Sequence, residues 1–134
     1  MIEITQTPIL PEVAINKVRK DAYGCVVTFV GMVRDLSHGK RVLFLEYEPS
    51  SKELARRELQ RIADEIRAKW QLEDVAIYHR LGRLEVGEIT SVFAIAVPHR
   101  REAFEACQYA IDRFKEVVPM WEREITQGDE DSQH

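Results

Sequence analysis

The sequence predicts a single α+β domain over residues 1–134, with a mixed, mainly antiparallel sheet and flanking helices. Two long segments carry an apolar residue at every third or fourth position, which is the pattern of an amphipathic helix. Shorter segments are rich in β-branched and aromatic residues, which favour strands. The expected order, α-β-β-α-β-β-α, combines hairpin-like and crossover connections and so differs from a doubly wound sheet. A chain of 134 residues with 45% apolar residues can bury one such core.

The first part of the chain is predicted to hold a helix and two strands after a short polar lead. Pro11 suits the first turn of a helix, and Gly24 is expected to end that helix. Residues 25–33 and 42–47 are β-branched and aromatic, so each segment predicts a strand. The polar loop 34–40 between them is a candidate for function because it carries charged side chains and a histidine.

The middle of the chain is predicted to form a long helix and two further strands. Apolar residues recur at steps of three and four through residues 52–70, which places them on one face of a helix. Residues 75–78 and 89–97 predict strands, and the segment between them supplies Gly82 and Gly87 as turn points.

The last predicted helix covers residues 102–118 and stops before Pro119, which cannot continue a helix. The residues from about 127 to 134 are polar and are expected to be disordered. The expected buried stripe of this helix consists of Phe104, Cys107, Ile111, Phe114 and Val118.

The composition and charge give no indication of binding to nucleic acid or to a membrane. The formal net charge of -4 gives no general attraction to nucleic acid or anionic lipid, and basic residues do not interleave with aromatic residues along a strand. No apolar run approaches the roughly 18 residues of a membrane-spanning helix, and the N-terminus lacks a secretory pattern, so we expect a cytoplasmic protein.

Cys25 and Cys107 lack metal-binding spacing, and no common phosphate-loop or dinucleotide motif occurs. We therefore expect reduced thiols, no metal and no cofactor.

Three basic residues, His99, Arg100 and Arg101, lie where the last predicted strand gives way to a helix. The free N–H groups and the dipole of a helix N-terminus favour an anion, and arginine can bind phosphate or carboxylate through two parallel hydrogen bonds. The alternative is an ordinary basic surface, since arginines occur on any exposed face. The residues alone leave both interpretations open.

Arg34 and Lys115 are two further candidate cations. Arg34 follows a strand end that contains Gly31, and a glycine there permits close approach of a ligand, although a plain surface arginine would look the same. Lys115 lies in the last turn of a helix, where its charge meets the helix dipole and its stem covers apolar surface. A partly desolvated amine that acts as a base or nucleophile is the functional alternative.

Four motifs in fixed order carry a family resemblance. They are G-x-V-R in VVTFVGMVRD, HR-x-G in HRLGRLEVGE, HR-x-x-AF in PHRREAFEAC and K-x-x-x-P-x-W in FKEVVPMWERE. With these motifs, residues 24–124 resemble the large, catalytic subunit of molybdopterin synthase.

The resemblance implies an α/β-hammerhead fold and a dimer of large subunits within a heterotetramer. Two small ubiquitin-like subunits would complete that assembly. The implied reaction converts cyclic pyranopterin monophosphate into molybdopterin. Its sulfur would arrive as a thiocarboxylate at the C-terminus of the small subunit, whose extended tail would enter a pocket of the large one.

The resemblance also implies roles for individual residues. Lys115 matches a lysine at the point where the tail enters and is the implied catalytic residue. The implied substrate-binding residues are Met32, Val33, Arg34, His99, Arg100, Lys115, Glu122, Arg123 and Glu124.

The sequence departs from the family pattern at Glu122, where the family usually has a second active-site lysine. An anion in place of a cation reverses the local electrostatics near a phosphate or a carboxylate-like tail. An alternative function is therefore a catalytically weak paralogue that binds a ubiquitin-like tail without efficient turnover.

Overall fold

The computed structural model describes residues 1–128, which form three α-helices and eight β-strands, and the predicted α+β class is confirmed. Short 3₁₀ turns precede the second helix at Pro49–Ser51 and follow the third at Val118–Met120. In chain order the elements are β1 (Ile2–Thr5), α1 (Pro11–Val18), β2 (Cys25–Met32), β3 (Leu36–Ser37), β4 (Lys40–Tyr47), α2 (Lys52–Trp70), β5 (Asp74–Arg80), β6 (Gly82–Glu85), β7 (Ile89–Val97), α3 (Arg100–Val117) and β8 (Glu122–Thr126).

The larger sheet has the strand order β1-β5-β7-β2. Its β1 and β5 are parallel, and its other pairs are antiparallel. Helix α1 packs on one face of this sheet through Ala14 and Val18. Helices α2 and α3 cover the other face and enclose the main core, in which Phe93 is completely buried. Strand β2 therefore lies at an edge of the sheet with helices over both of its faces.

The smaller sheet is built around β4. This strand forms a hairpin with β3 and pairs antiparallel with β6 on one side and β8 on the other. Because α3 ends at Val117 and a 3₁₀ turn containing Pro119 redirects the chain, β8 returns directly from the end of α3 to the side of β4.

Four strands were not predicted from the sequence: β1, β3, β6 and β8. Strands β3 and β6 have only 2 and 4 residues, and β8 reads Glu-Arg-Glu-Ile-Thr, so none shows a run of β-branched or aromatic residues. The segment 82–87 was expected to be a turn, but residues Gly82–Glu85 form β6. Within this segment, only Gly82 and Gly87 have the positive φ angles that a turn uses.

Two helix boundaries and one buried residue also differ from prediction. Helix α1 ends at Val18 rather than at Gly24, which instead lies beside β7, where a Cβ would be 3.3 Å from the Pro98 carbonyl oxygen. Helix α3 begins at Arg100, two residues earlier than expected. Phe104 is 60% exposed, because the smaller Ala103 takes the position that faces the core.

The predicted disordered tail falls mainly on residues 129–134, which lie outside the described residues. Within residues 1–128, no helix is both long and apolar enough to cross a membrane.

Candidate active site

A cavity of about 400 Å³ opens where the end of α3, the end of β2 and the smaller sheet meet. It brings together side chains that are far apart in the sequence, among them two cations and two carboxylates. Its lining includes Phe29, Gly31, Met32, Arg34, Leu45, Tyr47, Thr90, Ser91, Ile111, Phe114, Lys115, Glu122 and Glu124.

The pairing of β4 with β8 decides which side chains face the cavity. Tyr47 lies opposite Glu122, and Leu45 lies opposite Glu124, and all four line the cavity. The intervening pair is Glu46 and Arg123, which the alternation of a strand turns to the other face. Arg123 pairs there with Glu46, with 3.5 Å between the guanidinium Nη2 and the carboxylate Oε1.

Helix α3 contributes the lysine. Ile111 and Lys115 are one helical turn apart and both line the cavity, while Phe114 is buried beneath them. Lys115 is exposed at the cavity rim, one turn before Pro119 ends the helix and the chain passes into β8. The lysine and Glu122 therefore approach the same space from two consecutive elements.

Arg34 reaches the cavity from the segment after β2. Its guanidinium Nη2 donates a hydrogen bond of 3.2 Å to the hydroxyl of Ser37, which is buried. Gly31 lies just before it, and a Cβ at that position would be 2.9 Å from the Thr90 hydroxyl and 3.0 Å from the Ser91 hydroxyl. A side chain at position 31 would therefore have to displace these two hydroxyls, which line the cavity.

A buried histidine supports the wall of the cavity. Trp121 Nε1 donates to His79 Nε2 at 2.9 Å, so Nδ1 carries the ring proton and donates to the Thr90 carbonyl oxygen at 3.0 Å. The His79 ring also contacts the Tyr47 ring edge-on at 4.7 Å and the Phe114 ring at 5.2 Å between centroids. Burial lowers the pKa of His79 to about 4, so the neutral ring is a fixed support.

The electrostatic environment of Glu122 differs from that of a surface carboxylate. Burial is the main cause that raises the pKa of Glu122, and the Glu124 carboxylate adds to the rise. The Tyr47 hydroxyl and Arg34 oppose it. Burial, reinforced by the charge of Glu122, also raises the pKa of the Tyr47 phenol, so this hydroxyl stays protonated at neutral pH.

The structure brings five of the nine predicted site residues into this cavity: Met32, Arg34, Lys115, Glu122 and Glu124. Val33 is buried, and its backbone exchanges hydrogen bonds with the β6–β7 turn, accepting from Gly87 N and donating to Glu88 O. Within the described part of the chain, no group of three His, Cys, Asp or Glu side chains forms a metal site.

His99 and Arg100 lie elsewhere in the same chain. His99 is at the N-cap position of α3, where its side chain makes no capping hydrogen bond, and Arg100 is the first residue of the helix. Both residues are exposed. Arg100 and Lys115 are fifteen positions apart along the helix, which corresponds to about 22 Å along the axis. The two cationic groups therefore do not meet within one copy of the chain.

Sequence reasoning missed Tyr47, Thr90 and Ser91 as residues of the cavity wall. The β4–β8 pairing that sets Tyr47 beside Glu122 depends on a strand that the sequence did not indicate. Thr90 and Ser91 lie at the start of a predicted strand, and their two hydroxyls were the available polar signal.

Comparison with known proteins shows the same fold and sequence pattern. The model of a family described as "MoaE protein" matches residues 4–117. A Bacillus subtilis relative named molybdopterin synthase catalytic subunit is 45% identical over 96% of this chain and 81% of its own length. A relative of the same name from Halalkalibacterium halodurans is 43% identical over 90% of this chain and 77% of its own length. The crystal structure of molybdopterin synthase from Staphylococcus aureus has a TM-score of 0.84 at 38% identity, covering 93% of this chain and 90% of that one.

Proposed function

Because the chain belongs to the MoaE protein family, whose curated relatives are named molybdopterin synthase catalytic subunits, we propose that it is the catalytic subunit of a molybdopterin synthase. In the proposed reaction, a ubiquitin-like small subunit supplies sulfur as its C-terminal thiocarboxylate. The sulfur is transferred to cyclic pyranopterin monophosphate, and molybdopterin is the product.

The observation that carries this proposal is the meeting of Lys115 and Arg34 in one cavity. Both the thiocarboxylate and the cyclic phosphate are anions, and two cations at one site can hold them close to each other. Arg34 suits the phosphate because its guanidinium can form two parallel hydrogen bonds with it. Lys115 lies at the rim, where an entering tail would present its sulfur, and is the proposed catalytic residue.

The cavity also suits the tail of a small subunit. Its walls alternate apolar side chains, such as Phe29, Leu45 and Ile111, with polar ones. An extended glycine-containing segment has little side-chain bulk and can present its backbone to such walls, a mode of tail capture that other domains use. Tyr47 and Ser91 contribute the hydroxyl-bearing part of this wall.

We further propose that two copies of the chain pair along β2. This strand reads CVVTFVGM, without charge or proline, and among the described residues no strand pairs with its outer edge. It begins beside Pro98 and ends at the cavity. Antiparallel pairing of two such edges brings the start of one copy's β2, with His99 and Arg100 of that copy, towards the cavity of the other.

The direct test is reconstitution. Mixed with a thiocarboxylated small subunit and cyclic pyranopterin monophosphate, the chain is expected to produce molybdopterin at a rate that depends on the concentration of the small subunit. A small subunit that ends in an ordinary carboxylate is the control and should give no product. Tight binding of the small subunit without product would instead support the catalytically weak paralogue, for which Glu122 is the motivating observation.

A further inference from the structure

Glu122 lies in the cavity in surroundings that suit proton transfer. It is the first residue of β8 and lies opposite Tyr47, and both side chains face the same space as Lys115 and Arg34. The carboxylate is half-buried, beside the phenol of Tyr47. Glu124 also lines the cavity, but its partner across the strands is Leu45, which offers no polar group.

The carboxylate is held in place by rigid neighbours. Tyr47 is only 2% exposed, and its ring rests edge-on against His79. His79 is itself fixed by Trp121 and by the Thr90 carbonyl, and Trp121 immediately precedes Glu122 in the chain. Such support keeps a functional group in its reactive orientation, so no free energy is needed to reorient it during the reaction.

Resting on the proposed function, the chemistry requires a step that this geometry can serve. When the thiocarboxylate sulfur bonds to the pterin side chain while it is still attached to the glycine carbonyl, the two partners are joined by a thioester. Water must then cleave this linkage: its oxygen bonds to the carbonyl carbon, and the carbon–sulfur bond breaks. One proton leaves the water and one is needed by the departing sulfur, with no change of oxidation state.

We propose that Glu122 accepts one proton of the attacking water and delivers it to the departing sulfur, which leaves as a thiol. The small subunit is released as its carboxylic acid, and this acid loses the second proton of the water to solvent and becomes the ordinary carboxylate. The charges that face Glu122 are those of Arg34, Lys115 and Glu124, together with the neutral phenol of Tyr47. Its raised pKa fits this role, because a carboxyl that titrates nearer to neutrality exchanges protons more readily at physiological pH.

The experiment compares Glu122→Gln with the wild-type chain in a single turnover, with the thiocarboxylated small subunit and cyclic pyranopterin monophosphate. The Gln side chain keeps the shape but cannot exchange a proton. We expect molybdopterin formation to slow by about 100-fold. We also expect a covalent adduct of the small subunit and the pterin to accumulate, detectable by mass spectrometry, while small-subunit affinity stays within about twofold.

The pH profile gives a second readout. The acid limb of the wild-type rate should show the titration of one carboxyl, which Glu122→Gln should abolish and Glu122→Asp should retain. Glu46→Gln is the matched control, because Glu46 is on the opposite face of the same pair of strands and pairs with Arg123. This variant should behave like the wild type.

Three results would contradict the proposal. A Glu122→Gln rate within twofold of the wild type would remove Glu122 from the step while leaving the proposed function intact. An adduct that accumulates in Glu124→Gln, and not in Glu122→Gln, would assign the step to the other carboxylate. Absence of product from the wild-type chain would overturn the proposed function, and this inference with it.

Discussion

At the scale of single residues, the least expected feature is the neutral imidazole of His79 behind the cavity. It joins three elements, because it lies on β5, accepts a hydrogen bond from Trp121 before β8, and donates to Thr90 on β7. Protonation of Nε2 would place a second hydrogen against the indole N–H. The fold therefore selects the neutral form, and stability becomes dependent on pH.

The sign of that dependence follows from the pKa of His79, about 4 in the folded chain against 6.5 when exposed. Between these values the unfolded chain binds a proton that the folded chain does not. The contribution of His79 is therefore complete above pH 6.5 and falls by about 3 kcal/mol as the pH decreases to 4. Urea unfolding at a series of pH values from about 7.5 to about 4.5 should show most of this loss.

His79→Gln is the matched variant for this prediction, since it keeps polar groups at the position but does not titrate. Its free energy of unfolding should be lower by about 1–3 kcal/mol at pH 7.5, and its loss of stability on acidification should be smaller than that of the wild type. Equal pH slopes for the two chains would show that His79 does not carry the effect.

The sequence identified the charged residues of the cavity better than its neutral wall. Arg34 and Lys115 were candidates because the first lies beside a glycine and the second at a helix end. For each residue, both a structural role and a role in a ligand site were open, and the family motifs then favoured the role in the site. Tyr47 was not predicted, because one tyrosine in a strand is most often a core residue. Only its pairing with Glu122 across the strands makes it part of the site.

At the scale of elements, the position of β8 has the largest effect on the site. This strand was not predicted, because its three consecutive charged residues also fit an irregular surface segment. Two residues fix where it starts: Pro119 stops the preceding helix, and Trp121 is buried with its indole N–H bonded to His79. Helix α2, by contrast, has the bounds that its apolar periodicity predicted.

Replacing each of the two tryptophans by phenylalanine should distinguish a buried hydrogen bond that holds β8 in place from a hydrogen bond at the surface. Trp121→Phe leaves His79 Nε2 without a donor in a buried site, and we expect it to lower the free energy of unfolding by about 1–3 kcal/mol. Trp70→Phe removes a 3.2 Å bond to Glu105 at the surface, where water can replace it, and should change stability by about 0.5 kcal/mol or less. Similar losses in both variants, measured by urea unfolding, would contradict the anchoring role.

At the scale of the whole molecule, the separation of about 22 Å between Arg100 and Lys115 connects the site to assembly. The sequence placed both at the ends of one helix, but it could not show that the cavity opens at only one of those ends. The outer edge of β2, with which no strand of residues 1–128 pairs, gives a physical route by which a second copy can bring His99 and Arg100 to the cavity. Two copies related by a twofold axis pair antiparallel along such an edge.

Cross-linking tests this pairing. In an antiparallel pair, the residue on the twofold axis lies opposite itself, with Cα atoms about 4.5–5.5 Å apart, which suits a disulfide. Thr28 is near the middle of β2, so Thr28→Cys in a Cys25→Ser background should form covalent dimers on mild oxidation. Thr7→Cys in the same background is the control and should remain uncrosslinked. A chain that dimerises in solution without a cross-link at position 28 would place the interface elsewhere.

Lys115 is the proposed catalytic residue of sulfur transfer in the cavity at the end of α3. The most direct measurement is the single-turnover yield of molybdopterin from Lys115→Ala, with the thiocarboxylated small subunit and cyclic pyranopterin monophosphate. Lys17→Ala, in the last turn of α1, serves as the matched control. We expect a loss of about 100-fold or more for Lys115→Ala and none for Lys17→Ala. Formation of molybdopterin by Lys115→Ala at the wild-type rate would contradict it.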